Sequence, residues 1–151
     1  MVYNQLEVTE VKKKGYQVVL NILLILHLFL MSACDSPEMK GYYLQKDHYI
    51  EATGTIIHIK YNENQDELYL GFSDLEPTFD DINFKIVGDN LSVVQQNGID
   101  EKIELGTSVE FITAPRYFGD GYAMPIVGLT VDGEELLSFD EGYENFIDWL
   151  N

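Results

Sequence analysis

A single apolar run near the start of the chain limits which residues can belong to a folded domain. Lys12, Lys13 and Lys14 precede a mostly apolar run of fourteen residues, Val18 to Met31, which ends in small residues. As a helix this run would rise about 21 Å, which is short of the roughly 30 Å hydrocarbon core of a bilayer. The order of basic, apolar and small residues is typical of a secretory signal peptide. We therefore expect the folded domain to follow this run.

The residues at the end of the run resemble a bacterial lipobox. They are Met31-Ser32-Ala33-Cys34, with Met31 in place of the usual leucine. The resemblance implies that the thiol of Cys34 is joined to diacylglycerol and that the chain is cut between Ala33 and Cys34. Two or three acyl chains would anchor the mature protein stably, since each buried methylene contributes about 0.8 kcal/mol. An uncleaved anchor and an unmodified thiol are the alternatives.

The lipobox resemblance divides the chain into three parts. They are a signal peptide over residues 1–33 with a helical apolar segment, a lipidated tether over 34–41, and a folded domain over 42–151. Glu7 and Glu10 are unusual in the basic region of a signal peptide, so a translation start at Val11, read from a GTG codon, is the alternative to the first methionine. The predicted location is the cell membrane, where the lipid-anchored domain faces outside the cytoplasm, as in small bacterial lipoproteins of the cell envelope.

The chain after the predicted signal peptide is strongly acidic. It has 24 Asp and Glu against 6 Lys and Arg, which leaves a formal charge of −18. Such a surface repels nucleic acid, so nucleic acid is excluded as a partner. The charge is compatible with a cationic partner, and equally with solubility through self-repulsion. Because Cys34 is the only cysteine, no intramolecular disulfide can form, and the domain must be stabilised by packing.

Alternation of apolar and polar residues predicts a domain built mostly of strands. The clearest case is Leu68, Leu70 and Phe72, which alternate with Tyr69 and Gly71. The other predicted strands cover residues 49–61, 82–86, 91–94, 109–111, 123–131 and 134–137. A glycine in the middle of the first strand, at position 54, predicts a bulge or bend. Residues 88–90 and 132–133 are predicted to be turns.

The end of the chain has the pattern of a short amphipathic helix. Ser138 lies three residues before Glu141, which is the spacing of a capping box. Apolar residues at 139, 143, 146, 147 and 150 share one helical face. Together these elements predict a mainly β fold. We expect a small antiparallel barrel of five or six strands that resembles an OB-fold, with a short C-terminal helix. A small sandwich with a helical lid has the same periodicity.

Motifs that carry catalytic chemistry are absent from the sequence. The chain has no Gly-x-Ser-x-Gly segment and no His-Glu-x-x-His helix. Adjacent acidic residues such as Asp80-Asp81 lie in predicted turns. Acidic residues are common in turns, so these pairs do not indicate catalytic carboxylates. The oxygen-rich turn over residues 62–67 lacks the spacing of an EF-hand. We predict no catalytic residue, no metal site and no cofactor, with a small envelope enzyme of unrecognised site as an alternative.

A loop that holds the only arginine is the candidate binding surface. Its members are Arg116, Tyr117, Phe118, Asp120 and Tyr122, placed around two glycines. Aromatic rings beside a guanidinium group are typical of contact surfaces for proteins or sugars. The alternative is that the rings fold back and close one end of the barrel.

These patterns predict a non-enzymatic binding module. Its predicted partners are the lipid bilayer, through acylated Cys34, and an unknown protein, peptide or saccharide. A protective or inhibitory lipoprotein that captures a cationic protein or peptide is the alternative, which a contiguous acidic surface would favour.

Overall fold

The computed structural model describes residues 37–62, 64, 66–79, 82–118 and 122–151, which belong to one unit, Pro37–Asn151. The predicted signal peptide, the cleavage site at Ala33 and Cys34, and the alternative start at Val11 all lie outside the described residues. Within the described residues, no helix combines the length and the apolar character that crossing a membrane requires.

The helices and strands succeed one another in a simple order. They are α1 (Pro37–Tyr43), a 3₁₀ turn (Lys46–His48), β1 (Ile50–Asn62), β2 (Glu67–Glu76), β3 (Asn83–Val87), α2 (Asp89–Gln96), α3 (Ile99–Lys102), β4 (Ser108–Thr113), β5 (Met124–Val131), β6 (Glu134–Leu137) and α4 (Phe139–Trp149). The helix α1 thus overlaps the segment 34–41 that the sequence predicts to be a tether.

The six strands of the described residues belong to one sheet. Their order is β3-β2-β1-β4-β5-β6, and neighbours in this order are antiparallel. The strand β3 also pairs with β5, in parallel, where Phe84 faces Met124 and Lys85 faces Pro125. The predicted mainly β fold with a C-terminal helix is therefore confirmed.

The first strand is long and irregular. Its register against β2 shifts between Thr53 and Thr55, on either side of Gly54. A Cβ atom at Gly54 would lie 3.0 Å from the side chain of Leu75 and 3.1 Å from that of Phe72. The glycine therefore allows a close approach at this irregularity, which lies where the sequence predicts a bulge or bend.

Alternate side chains of the strands form an interior cluster together with residues of the first connecting helices. Its buried members are Ala52, Ile56, Leu68, Leu70, Phe72, Phe84, Ile86, Leu91, Val94, Ile99, Val109, Phe111, Met124, Ile126, Leu129, Val131, Leu136 and Leu137. At its centre the rings of Phe72, Phe84 and Phe111 lie 4.8 to 5.4 Å apart between centroids. Burial of these side chains stabilises the sheet.

The strand predicted over residues 91–94 is wrong. These residues belong to the helix α2, in which Leu91 and Val94 are buried and Ser92 is exposed. A spacing of three residues places both apolar side chains on one helical face. A short apolar run cannot distinguish a strand from one side of a helix, which explains the error. The residues predicted as a turn, 88–90, contain the start of this helix.

The C-terminal helix predicted from residue 139 onward is confirmed as α4, which packs on β5. Ser138 occupies its N-cap, although the serine side chain forms no capping hydrogen bond. A Cβ atom at Gly142 would overlap the backbone oxygen of Val127, so the glycine permits direct contact between helix and strand. The side chains buried on this side form an outer cluster of Tyr43, Val87, Ala114, Phe118, Val127 and Phe146.

Candidate functional site

The loop between β4 and β5 is anchored by buried aromatic side chains. The hydroxyl oxygen of Tyr43 lies 2.8 Å from the backbone oxygen of Arg116 and 2.9 Å from that of Tyr117. Burial raises the pKa of Tyr43, although the nearby charge of Arg116 lowers it, so the hydroxyl keeps its proton at neutral pH. Phe118 is 1% exposed and packs its ring edge-to-face against Phe146. These contacts anchor the backbone of Arg116 and Tyr117 and the ring of Phe118.

The four described residues of the candidate loop divide between the interior and the surface. Phe118 belongs to the outer cluster. Its ring therefore folds back onto the domain, which is the alternative that the sequence analysis gives for the rings of this loop. Arg116 and Tyr117 are exposed, and Tyr122 is 80% exposed. The rings of Tyr117 and Tyr122 meet edge-to-face at 6.0 Å between centroids. Asp120 lies outside the described residues.

A cavity of about 290 Å³ opens beside this loop and defines the loop pocket. Its lining residues are Thr78, Phe79, Pro115, Arg116, Tyr117 and Met124. Thr78 and Phe79 come from the connection between β2 and β3, so two connections at the same end of the sheet form the pocket. The pocket therefore depends on the fold and not on the candidate loop alone.

The guanidinium group of Arg116 is held in place by an aromatic ring. Its central carbon lies 4.9 Å from the ring centroid of Tyr42, a cation–π contact. Such stacking occupies a face of the planar group, while its N–H donors lie along the edge. Among the described residues, no carboxylate forms an ion pair with Arg116. The group can therefore offer directed hydrogen bonds to a ligand.

A second cavity, of about 320 Å³, lies on the outer face of the sheet. We call it the acidic groove, because its lining includes the exposed residues Glu51, Glu76, Glu110 and Glu135. Glutamates and threonines alternate across its strands. Glu76 faces Thr53, Thr53 faces Glu110, Glu110 faces Thr130, and Thr130 faces Glu135. No glutamate in this row is directly opposite another, which limits like-charge repulsion.

The floor of the acidic groove is apolar. Glu51 faces Ile112, which faces Gly128. A Cβ atom at Gly128 would lie 3.0 Å from the side chain of Ile112, so the glycine leaves Ile112 room to lie flat. Leu137 and Phe139 also line the groove. In the part of the chain that the structure describes, no Lys, Arg or His forms an ion pair with the four groove glutamates.

A buried ion pair lies under the outer cluster. The Nζ atom of Lys85 lies 2.7 Å from Oε1 of Glu67, and the two side chains are 3% and 6% exposed. The hydroxyl of Tyr69 donates a 2.8 Å hydrogen bond to Oε2 of Glu67. Lys85 Nζ also lies 4.4 Å from the ring centroid of Phe118 and 5.9 Å from that of Trp149. The ion pair therefore helps to position the ring of Phe118, which anchors the loop.

The described residues hold no group of three or more His, Cys, Asp or Glu side chains arranged to bind a metal ion. The oxygen-rich turn over residues 62–67 is described only in part, because positions 63 and 65 lie outside the described residues. A cavity of about 250 Å³ adjoins it, lined by Asp66, Glu67 and Asp89 among others. Glu67 is already engaged by Lys85.

No protein-family model matches this chain, and no curated protein or solved structure matches it closely. The loop pocket and the acidic groove are therefore interpreted from their own geometry and charge.

Proposed function

We propose that this protein is a membrane-anchored binding module that faces outside the cytoplasm and contacts a protein, peptide or saccharide without catalysis. The observation that carries the proposal is the loop pocket, in which Arg116 and Tyr117 are exposed while Tyr43 fixes their backbone. Backbone that is already anchored loses little conformational freedom when a ligand binds. Exposed tyrosines add a large contact area with few rotatable bonds.

The membrane anchor is proposed from the sequence. Its support is the order of Lys12 to Lys14, the apolar run and the lipobox-like residues that end in Cys34. Acylation of that cysteine would hold the acidic domain at a membrane surface whose anionic lipids repel it. The folded domain would then project away from the bilayer, where its loop pocket is accessible to ligands.

We also propose that the strands close into a small barrel of the OB type. The support is the parallel pairing of β3 with β5, which links the two ends of the series β3-β2-β1-β4-β5. The helix α2 lies between β3 and β4 in the chain. OB-folds bind oligonucleotides or oligosaccharides, and the net charge of −17 disfavours the former. This likeness concerns the fold alone and identifies no ligand.

Photocross-linking in native membranes tests the loop pocket. A benzophenone amino acid in place of Tyr122 should form adducts with the ligand, because the side chain at this position is 80% exposed beside the pocket. The same amino acid in place of Ile57, which is 47% exposed on β1, is the matched control and should form none. Adding Arg116→Ala should remove the adducts from position 122. Equal adducts at both positions would refute a role for the loop.

Capture of a cationic protein or peptide is the second candidate function. The acidic groove favours it, because four exposed glutamates surround an apolar floor. Within the described residues, none of these four glutamates forms an ion pair. A protective or inhibitory lipoprotein would use such a surface to bind a cationic molecule at the cell envelope. No observation on the described residues favours an envelope enzyme over these two functions.

A further inference from the structure

We propose that the loop pocket binds the C-terminal end of a peptide, with the terminal carboxylate on Arg116 and an apolar last side chain in the cavity. This inference rests on the proposed function, because it names the ligand of the pocket that carries that function. The pocket combines one cationic side chain with apolar walls around a cavity of about 290 Å³. These are the two features that recognition of such a peptide end requires.

The apolar wall of the loop pocket consists of side chains that the interior cluster supports. Met124 lines the pocket, is 3% exposed and belongs to that cluster. Phe79 packs against the same cluster, and its ring meets the ring of Phe84 edge-to-face at 5.4 Å between centroids. Because both side chains are packed from behind, an apolar ligand group can bury surface against them with little loss of side-chain freedom.

The cationic group of the pocket is positioned by two tyrosines. The guanidinium carbon of Arg116 lies 4.9 Å from the ring centroid of Tyr42, and the hydroxyl oxygen of Tyr43 lies 2.8 Å from the Arg116 backbone oxygen. A guanidinium group presents its N–H donors in a planar fork that matches the two oxygens of a carboxylate. The ion pairs of the described residues do not include Arg116. A ligand carboxylate can therefore bind there without displacing a described acidic side chain.

The last residue of a peptide satisfies both features at once. Its carboxylate and its side chain leave the same Cα atom, so the two groups can reach a cation and an apolar wall that share one cavity. In an internal Asp or Glu the side chain itself ends in the carboxylate, so a second residue would have to fill the apolar part of the cavity. The combination therefore favours a chain terminus over an internal acidic residue.

The same lining is less suited to a saccharide. A sugar ring carries several hydroxyl groups, and each one that is buried without a hydrogen-bond partner weakens binding. Among the described lining residues, the polar side chains are those of Thr78, Arg116 and Tyr117. The net charge of −17 also disfavours a polyanion such as a chain of uronic acids. A single carboxylate preceded by basic residues is attracted overall.

Synthetic peptides that differ only at their last residue test both contacts. The probe is fluorescein-labelled Lys-Ser-Lys-Ser-Ala-Leu, made with a free carboxyl terminus and, separately, with a terminal amide. Fluorescence anisotropy with the full-length protein in detergent should show that the acid binds about tenfold more tightly, because only the acid forms charge-assisted hydrogen bonds to Arg116. An acid that ends in glycine in place of leucine should also bind about tenfold more weakly, because it leaves the apolar wall uncovered.

Substitutions of Arg116 show whether the carboxylate binds there. Arg116→Gln should make the acid bind no more tightly than the amide. Arg116→Lys should keep only part of the preference, since it retains the charge but not the planar fork. Lys60→Gln is the matched control, because it removes the same charge from an exposed position of β1 that does not line the pocket. It should leave the preference for the acid unchanged.

Equal affinity for the acid and the amide, or no binding of either, would overturn recognition of a terminal carboxylate. If cross-links from position 122 still depended on Arg116 in native membranes, the loop pocket would then be a binding surface for another ligand, such as a saccharide. An equal loss of preference in Lys60→Gln and Arg116→Gln would also overturn the inference, because the preference would then reflect net charge alone.

Discussion

The interior cluster and the outer cluster are both buried, but they are held together differently. The interior cluster consists of apolar side chains supplied mainly by alternate positions of the strands. The outer cluster contains Tyr43, whose hydroxyl binds the loop backbone, and Phe118, which covers the Lys85–Glu67 ion pair. The interior cluster therefore specifies the sheet, while the outer cluster positions the candidate binding loop. Four changes test this difference, beginning with the largest expected effect.

Removal of one partner of the buried ion pair should have the largest effect. Lys85→Met should lower the free energy of unfolding by about 3 to 5 kcal/mol, because it leaves the Glu67 carboxylate buried without its cation. The double variant Lys85→Met with Glu67→Leu should recover most of the loss, since both charges are then absent. Urea denaturation measures both values. A single variant as stable as the unaltered protein would show that the pair is not effectively buried.

A methyl group between α4 and β5 should have the next largest effect. Gly142→Ala should lower the free energy of unfolding by about 1 to 3 kcal/mol, because the new Cβ atom would overlap the backbone of Val127. Gly41→Ala in α1 is the matched control. It has no atom within 4 Å of the added Cβ, so it should raise stability by about 0.5 to 1 kcal/mol. Thermal melts show whether each substitution raises or lowers stability. A stability change of the same sign in both variants would argue against close packing of α4.

Loss of the Tyr43 hydroxyl should have a moderate, pH-dependent effect. Tyr43→Phe should lower the free energy of unfolding by about 0.5 to 1.5 kcal/mol at neutral pH, because the loop carbonyls of Arg116 and Tyr117 lose the hydroxyl proton that they share. Burial raises the pKa of Tyr43 above its ordinary value of 10.0, so its contribution is complete below pH 10 and is lost as the pH rises further. Denaturation from pH 8 to 11 should therefore show a shallower decline for the variant. If stability fell equally with pH in the variant and in the unaltered protein, the decline would come from other titrating groups.

Truncation of the exposed arginine should have the smallest effect on folding. Arg116→Ala should change the free energy of unfolding by no more than about 0.5 kcal/mol, because the side chain is exposed and the loop backbone keeps its anchor. Lys60→Ala, at an exposed position of β1, is the matched control. Denaturation curves of the two variants should nearly coincide. A much larger loss for Arg116→Ala would give the side chain a structural role in place of a binding role.

Sequence patterns predicted the elements whose signals are local. The alternation of Leu68, Leu70 and Phe72 identified β2, and the pair Asp132-Gly133 identified the turn between β5 and β6. Both turn residues have positive φ, of 51° and 77°, which is the conformation that such a pair favours. A local pattern also predicted α4, because its apolar residues recur on one helical face.

The remaining features depend on contacts between distant residues. Lys85 occupies a polar position of β3, and the rings of Phe118 and Trp149, which are distant in sequence, help to bury it. The row of the acidic groove likewise depends on strand register, because Glu110 and Glu135 are brought near each other only by the pairing of β4, β5 and β6. Neither feature can be predicted from the spacing of residues along the chain.

The proposal that an acylated cysteine holds this domain at a membrane is tested most directly by mass spectrometry of the native protein. The N-terminal peptide should begin at Cys34 and carry the added mass of diacylglycerol on sulfur. An unmodified Cys34 still joined to Ala33 would contradict the anchor and, with it, the proposed location of the binding loop.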